Sequence, residues 1–522
     1  MRVEQFLEES VRRFGEKIAL VVGEEQVSYC QLNERANHLA LVLRQRGLER
    51  SERVVLFLDN SVEAVVGLFA TLKAGGVFVL VNPTTKADKL AYILNNCRAK
   101  AMITHKALLR VATPALEKSP TVALALVAEG DGDTSLQVAL EATPKGNLPF
   151  AGIDTDLAML IYTSGSTGFP KGVMMTHHNM VTAATSINTY LENTAQDTIL
   201  SVLPLAFDYG LYQVLMSVQM GATVVLEKSF AFPNLILERL ETLQVTGFPL
   251  VPTMAALLLQ MTSLVPGRFP HLRYLTNTAA ALPPAHIARL QALFPTSQIF
   301  SMYGLTECKR CTYLPPSQLA TRPGSVGKAI PNTEAYIVND QNERVKPGEI
   351  GELVIRGGHV MQGYWENPEA TERMLRPGAY PWERVLHTGD LFRSDEEGFL
   401  YFVGRKDDIL KTRGEKVSPK EVENVLYALP GVREAAVVGI PDPILGMAIK
   451  AVIVPTEAGC LTPREVLVHC AKHLEDFMIP KLVEFRESLP KTDSGKIRRS
   501  EVQAEVHQAY ATQTAPTETE PK

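Results

Sequence analysis

Leu160-Ile-Tyr-Thr-Ser-Gly-Ser-Thr-Gly-Phe-Pro-Lys171-Gly-Val-Met-Met-Thr-His177 decides how this chain is read. The apolar run from Ala158 to Tyr162 reads as a buried strand, and a helix is expected from near His177. Between them Thr163, Ser164, Gly165, Ser166, Thr167, Gly168, Pro170, Lys171 and Gly172 form a loop. It offers hydroxyls, one cation and backbone N–H groups that small residues leave uncovered, the groups that wrap polyphosphate oxygens. The spacing is not that of the common phosphate loop, G-x-x-x-x-G-K-[ST], because Gly165 and Gly168 stand too close and the lysine follows a proline. A flexible linker is disfavoured, since linkers seldom join a strand to a helix and carry Pro-Lys-Gly.

Outward from the loop, 522 residues suffice for about three domain-sized units. A hydrophobic share of 46% and a charged share of 21% are those of an ordinary globular protein. A net charge of −5 supplies no basic field for nucleic acid or an anionic membrane. The first ten residues are acidic and lack an apolar core, so no signal peptide is expected, and six cysteines that make no disulfide framework lead to the expectation of a reducing compartment, the cytoplasm. The apolar stretch Val65 to Val81 is broken by Lys73, Gly75 and Gly76, and reads as helix, turn and strand, with no membrane span. Cys308-Lys-Arg-Cys311 is a lone C-x-x-C without the second pair that a zinc site needs.

Strands and helices alternate through 54–104 and again through 198–300, which predicts mostly parallel sheets covered by helices. From Gly324 the pattern turns β-rich, with turns at Lys346-Pro-Gly-Glu and Asp395-Glu-Glu-Gly. A shorter α+β unit follows the charged turn Gly404-Arg-Lys-Asp-Asp408. The expected class is α/β. Two stacked α/β subdomains and a small β-barrel fill 1–406, a small α+β domain fills 407–505, and a Thr/Pro/Glu-rich tail over 506–522 is expected to be disordered.

Four more stretches carry candidate chemistry: Tyr303-Gly-Leu-Thr-Glu307, His387-Thr-Gly-Asp-Leu391, Gly404-Arg-Lys-Asp-Asp-Ile-Leu-Lys-Thr-Arg-Gly-Glu-Lys416 and Pro490-Lys-Thr-Asp-Ser-Gly-Lys496. In order, and with the loop, they resemble the signatures of the adenylate-forming superfamily: AMP-forming acyl-CoA synthetases, peptide-synthetase adenylation domains and firefly luciferase. The resemblance runs from Phe6 to Glu501. It implies a large AMP-binding domain, a small mobile C-terminal domain, and a reaction in which a carboxylate attacks the α-phosphate of ATP, pyrophosphate leaves, and a thiol captures the acyl-adenylate.

The same resemblance implies roles. Thr163, Ser164, Gly165, Ser166, Thr167, Gly168 and Lys171 match the pyrophosphate-side loop. Tyr303 matches the aromatic group on adenine, with Gly304 beside it, and Thr306 a phosphate contact. Glu307 matches the residue that holds Mg²⁺ against the phosphates. Asp390 matches the acceptor of both ribose hydroxyls, Arg405 a nucleotide contact, and Lys496 the catalytic lysine. Asp407 matches the hinge and Gly414 the passage for the thiol. Such chemistry needs cations and donors aimed where phosphoryl charge develops.

Leu203-Pro-Leu-Ala-Phe-Asp-Tyr-Gly210 bears on the acid. In amino-acid-activating relatives the Phe-Asp carboxylate pairs with the substrate ammonium, so Asp208 favours a small amino acid. Tyr209 and Gly210 depart from the small residue and serine usual there, and Asp208 could instead cap the following helix. Tyr209, Tyr212, Asn277, Arg310 and Cys311 are the remaining candidate lining residues. The expected reaction is activation of a small amino acid and transfer to the phosphopantetheine of a separate carrier protein; the alternative is a CoA ligase for a non-amino acid. An oxygenase using the adenylate and a nucleotide-binding scaffold are more distant readings.

Overall fold

A computed structural model describes residues 1–514 except 147, 149–151, 164–169, 279–281, 407, 413–414, 443–445 and 493–494, with backbone alone at 411, 415–416, 446 and 510–514. Among these residues the strands form three sheets. The first has 7 strands. Its parallel members include Arg53–Phe57, Val77–Val81, Ala99–His105 and Leu157–Thr163. The second has 14. Its parallel half includes Ile18–Val22, Thr198–Ser201, Tyr274–Asn277 and Gln298–Tyr303. Its antiparallel half continues through Thr312–Leu314 and Ser325–Ala329 to Leu400–Arg405 and Arg384–Ser394. The β-rich region expected as a barrel is thus hydrogen-bonded onto the edge of the second sheet.

Helix Val62–Lys73 is buried at nearly every position, as a helix between two layers must be. One contiguous core joins its Leu68 and Phe69 to Leu56 and Leu80 of the first sheet, to Leu200 and Val225 of the second, and to Leu211 and Leu215 of helix Asp208–Met220. Strand Gly247–Leu250 is not evident from sequence, because Pro249 lacks a ladder donor. It is tolerated because the ladder to the neighbouring strand Thr198–Ser201 consists of the single pair Gly247↔Ile199.

The C-terminal unit is a 5-stranded sheet covered on both faces. Helices Pro419–Ala428 and Pro463–His473 put Val422, Leu426 and Val466 on one face. On the other lies helix Arg499–Thr514, whose Val502 and Val506 reach Val438 and Val452. This corrects the expected tail: 506–514 is helical, because an i, i+4 apolar pair finds an open sheet face. Residues 515–522 lie outside the described ones.

The decisive loop also differs from expectation. Strand Leu157–Thr163 does not run through it directly to a helix; Lys171–Thr176 forms an antiparallel partner strand with Thr163 opposite Lys171. The helix then begins at His177, with Thr176 and Asn179 forming a reciprocal cap. Strand Lys171–Thr176 alternates weakly, which hid it beside so strong a loop signal. Ser164, Gly165, Ser166, Thr167, Gly168, Asp407 and Gly414 lie outside the described residues.

Gly210 sits where the helix Asp208–Met220 meets the preceding chain. A Cβ there would stand 2.4 Å from the Pro204 carbonyl oxygen and 2.6 Å from that of Leu203. Both obstacles are backbone, so the glycine at 210 has a steric cause. Gly210→Ala should destabilise the fold by about 1–3 kcal/mol, read as a lower unfolding midpoint; an unchanged midpoint would contradict this packing.

Candidate active site

The candidate residues converge beyond the carboxyl ends of the parallel strands, the usual ligand crevice of open α/β sheets. Tyr303 ends strand Gln298–Tyr303, Asn277 ends Tyr274–Asn277, and Thr163 ends Leu157–Thr163. Asp390 stands opposite Arg405 in the antiparallel half. Asp390 is buried and accepts two donors, the Tyr303 hydroxyl at 2.6 Å and Arg405 Nε at 3.1 Å. Burial raises the pKa of Asp390, against the opposing pull of Arg405, the Tyr303 bond and Lys496. Burial likewise drives the Tyr303 phenol upward, with Asp390 adding to it. Phe392 meets the Tyr303 ring edge-on at 4.9 Å.

The turn after Tyr303 is tightly built. Cys311 N–H donates to the Tyr303 carbonyl at 2.9 Å, and Lys309 N–H to that of Leu305 at 2.7 Å. Lys309 adopts φ +65, in the left-handed region. Gly304 is required, since a Cβ would lie 1.8 Å from the Lys309 carbonyl oxygen. The Lys309 ammonium turns back to the Thr306 carbonyl at 3.0 Å. Cys308 and Cys311 are buried, with sulfurs 3.0 Å apart.

This turn presents Glu307. Tyr364, unremarked in sequence, donates its hydroxyl to Glu307 Oε1 at 2.7 Å, and Lys171 lies 5.5 Å from the centre of the Tyr364 ring. No described residue donates a hydrogen bond to the second Glu307 oxygen. One carboxylate with a free oxygen fits a divalent ion that arrives with a polyphosphate, not a dedicated protein cage. Among the described residues no group of three or more His, Cys, Asp or Glu could hold a metal by itself.

Glu352, also missed, accepts Gly389 N–H at 3.0 Å and so braces the turn that aims Asp390. It lies 3.6 Å from His387 and 3.8 Å from Lys406. A buried Glu in the apolar strand Gly351–Gly357 was the available signal.

Lys496 enters from the C-terminal unit on a short turn. Its N–H bonds the Thr492 hydroxyl at 3.0 Å, Gly495 has φ +79, and a Cβ on Gly495 would stand 2.7 Å from Thr253 Oγ1 of the large unit. Burial lowers the Lys496 pKa, while Asp208, Asp390 and Glu307 oppose the fall. The sequence-derived residues from both units therefore share one electrostatic site.

Asp208 is buried at the first position of its helix and makes no cap bond; the N-cap is Phe207. Helix capping is thereby removed as the reading of Asp208. Arg310 Nη1 lies 3.8 Å from its carboxylate, and the Arg310 guanidinium lies 4.3 Å from the Tyr209 ring centre. The Tyr209 hydroxyl bonds both the Thr276 carbonyl at 2.8 Å and the Thr276 hydroxyl at 2.6 Å, and burial pushes its pKa up to about 12. Tyr212 and Asn277 are buried nearby.

A family model described as AMP-binding enzyme matches residues 7–365, and its C-terminal-domain model matches 421–496. The chain belongs to the AMP-binding enzyme family. This AMP-binding enzyme is 32% identical to a long-chain-fatty-acid–CoA ligase of Escherichia coli O157:H7, over 95% of this chain and 93% of that protein. It is 30% identical to part of tyrocidine synthase 2 of Brevibacillus parabrevis, over 95% of this chain and 13% of that protein. A crystal structure of the anthranilate CoA ligase AuaEII with anthranoyl-AMP superposes with a TM-score of 0.90 at 27% identity, covering 98% of each chain. The AMP-binding enzyme is an ATP-dependent, AMP-forming acid–thiol ligase with the large and small domains of that superfamily. Among its described residues no helix is long and apolar enough to cross a membrane.

In the role that the family resemblance gives Lys496, the ammonium balances developing phosphoryl charge, and that charge is lost as pH rises through its pKa. Because that pKa is lowered, kcat/KM for ATP in adenylation should fall on the alkaline side below the ordinary lysine range. A pH profile of ATP–pyrophosphate exchange checks this; an alkaline limb at or above that range would contradict the burial.

Proposed function

We propose that the protein is a CoA ligase for a small acid without an α-amino group, and that carrier loading is the lesser reading. The observation that carries this is the Asp208–Arg310 pair. A buried carboxylate needs a partner, and here an internal guanidinium stands where an amino-acid activator leaves the carboxylate for an ammonium. The overall likeness to CoA ligases along nearly the whole chain supports the same choice.

In this reading Asp390 accepts the ribose hydroxyls, as an acceptor-only group suited to a diol. Binding ribose would exchange the Tyr303 and Arg405 bonds for substrate bonds and release the Tyr303 ring toward adenine. Lys171 and Thr163, paired across the hairpin, flank the loop assigned to the leaving pyrophosphate. Glu307 would hold Mg²⁺, whose chemistry is to neutralise phosphate charge, while Tyr364 fixes the carboxylate's orientation. Lys496 is a compact charge on a long stem, brought to the acid and α-phosphate by the C-terminal unit. Asp407 is assigned to the hinge and Gly414 to the thiol passage. The cytoplasmic location expected from sequence is kept as part of this proposal.

ATP–pyrophosphate exchange across amino, aryl, fatty and small hydroxy or dicarboxylic acids, followed by mass detection of the CoA thioester, tests the reading. Exchange with an acid lacking an α-amine, and a CoA thioester of it, is expected. Exchange with amino acids alone, or transfer to a carrier but not to CoA, would overturn it. Lys496→Ala should slow acyl-AMP formation by about 100-fold or more while leaving CoA capture of supplied acyl-AMP within a few-fold; equal loss in both steps would contradict the assigned role.

A further inference from the structure

Arg310 is 1% exposed, and its buried Nε has no hydrogen-bond partner among the described residues. A guanidinium carries five N–H donors that cannot be discharged by deprotonation. Asp208 at 3.8 Å is within Coulomb reach yet beyond hydrogen-bond length, so it offsets charge without satisfying a donor. The Tyr209 face beneath the guanidinium satisfies none either. Tyr212, fully buried in the same cluster, also leaves its hydroxyl without a partner among the described residues. Its electrostatic neighbours are Asp208 and Arg310.

Buried donors are almost always paired, and a charged one left unmade is the costlier case. Two such groups converging beside the acid site point to acceptor atoms that arrive with the substrate. Lys309 adds a second cation to the cluster, 5.8 Å from the Tyr212 ring centre. An incoming anion therefore meets two cations and a hydroxyl against the one carboxylate of Asp208.

The far end of the acid is placed by the same neighbours. Asp208 lies beside Arg310 and is also the leading charged neighbour of Lys496. The buried rings of Tyr209 and Tyr212 crowd the space around the guanidinium, which favours a short acid over a long acyl chain.

Resting on the CoA-ligase reading, we infer that the substrate is a short dicarboxylic acid, its unreacted carboxylate held by Arg310 with the Tyr212 hydroxyl. The guanidinium fork matches the two oxygens of a carboxylate. Arg310 then sets specificity and Lys496 serves the reacting end.

The test uses the full chain and ATP–pyrophosphate exchange with malonate, succinate, glutarate and adipate, each beside its monomethyl ester and the monocarboxylate of equal length. At least one diacid should exceed both its ester and its monocarboxylate in kcat/KM by about 10- to 150-fold, the worth of a charge-assisted hydrogen bond. Arg310→Gln should erase that preference while leaving KM for ATP within about twofold. The wild-type ester comparison stands even if the variant folds poorly. Equal use of diacid and ester, or no exchange with any diacid, overturns the inference. In either case exchange and CoA thioester formation with some other acid lacking an α-amine would leave the proposed function intact, which separates the two failures.

Discussion

Asp390 is the constraint around which the site is assembled. One buried carboxylate takes a phenol from the end of a parallel strand and a guanidinium from the strand opposite it. Those donors come from the two halves of the second sheet, so the carboxylate measures how the parallel and antiparallel halves meet. It also joins the β-rich region to the parallel half, because the shared ladder carries Asp390 to Tyr303. Arg405 reaches the same carboxylate from the last residue of strand Leu400–Arg405.

Much of this was legible in the residues. Periodicity located most helices to within a few positions, and the five motifs, read together, brought Lys171, Tyr303, Glu307, Asp390 and Lys496 into one family resemblance that the family models bear out. Pairing partners were not legible. Tyr364 and Glu352 act through hydrogen bonds made across the fold, to Glu307 and to the Gly389 amide, and no local pattern encodes those. Asp208 shows the limit most clearly. Its position suggested an ammonium partner or a cap, yet it has Arg310 beside it and caps nothing, because the partner comes from a turn 102 positions later in the sequence. The helix over 506–514 was missed for the same reason, since composition cannot reveal that a sheet face is waiting for it.

Among the described residues of the crevice, Arg405 and Arg310 each stand beside a carboxylate, and several groups are left part-satisfied. Glu307 has one oxygen engaged; Lys496 is opposed by burial and supported by three carboxylates. Groups left part-satisfied in a low-dielectric site are costly to the resting protein. Their unmade bonds are available to a ligand without first breaking an internal one.

The route of the second sheet bears on how the chain reaches its fold. Strand Ile18–Val22 is parallel to Thr223–Leu226, so its hydrogen-bond partner emerges about 200 residues after it. At ~5–20 residues per second of synthesis that is a wait of roughly 10–40 s. During it, Leu20 and Val21 have only the hairpin partner Glu25–Ser28, whose exposed Glu25 and Gln26 discourage stray pairing along that edge. The first sheet, by contrast, draws all but Gly363–Tyr364 from the first 176 residues and can assemble early. Nascent-chain order, with the adenylate crevice closing last, is therefore written into the strand sequence of the two sheets.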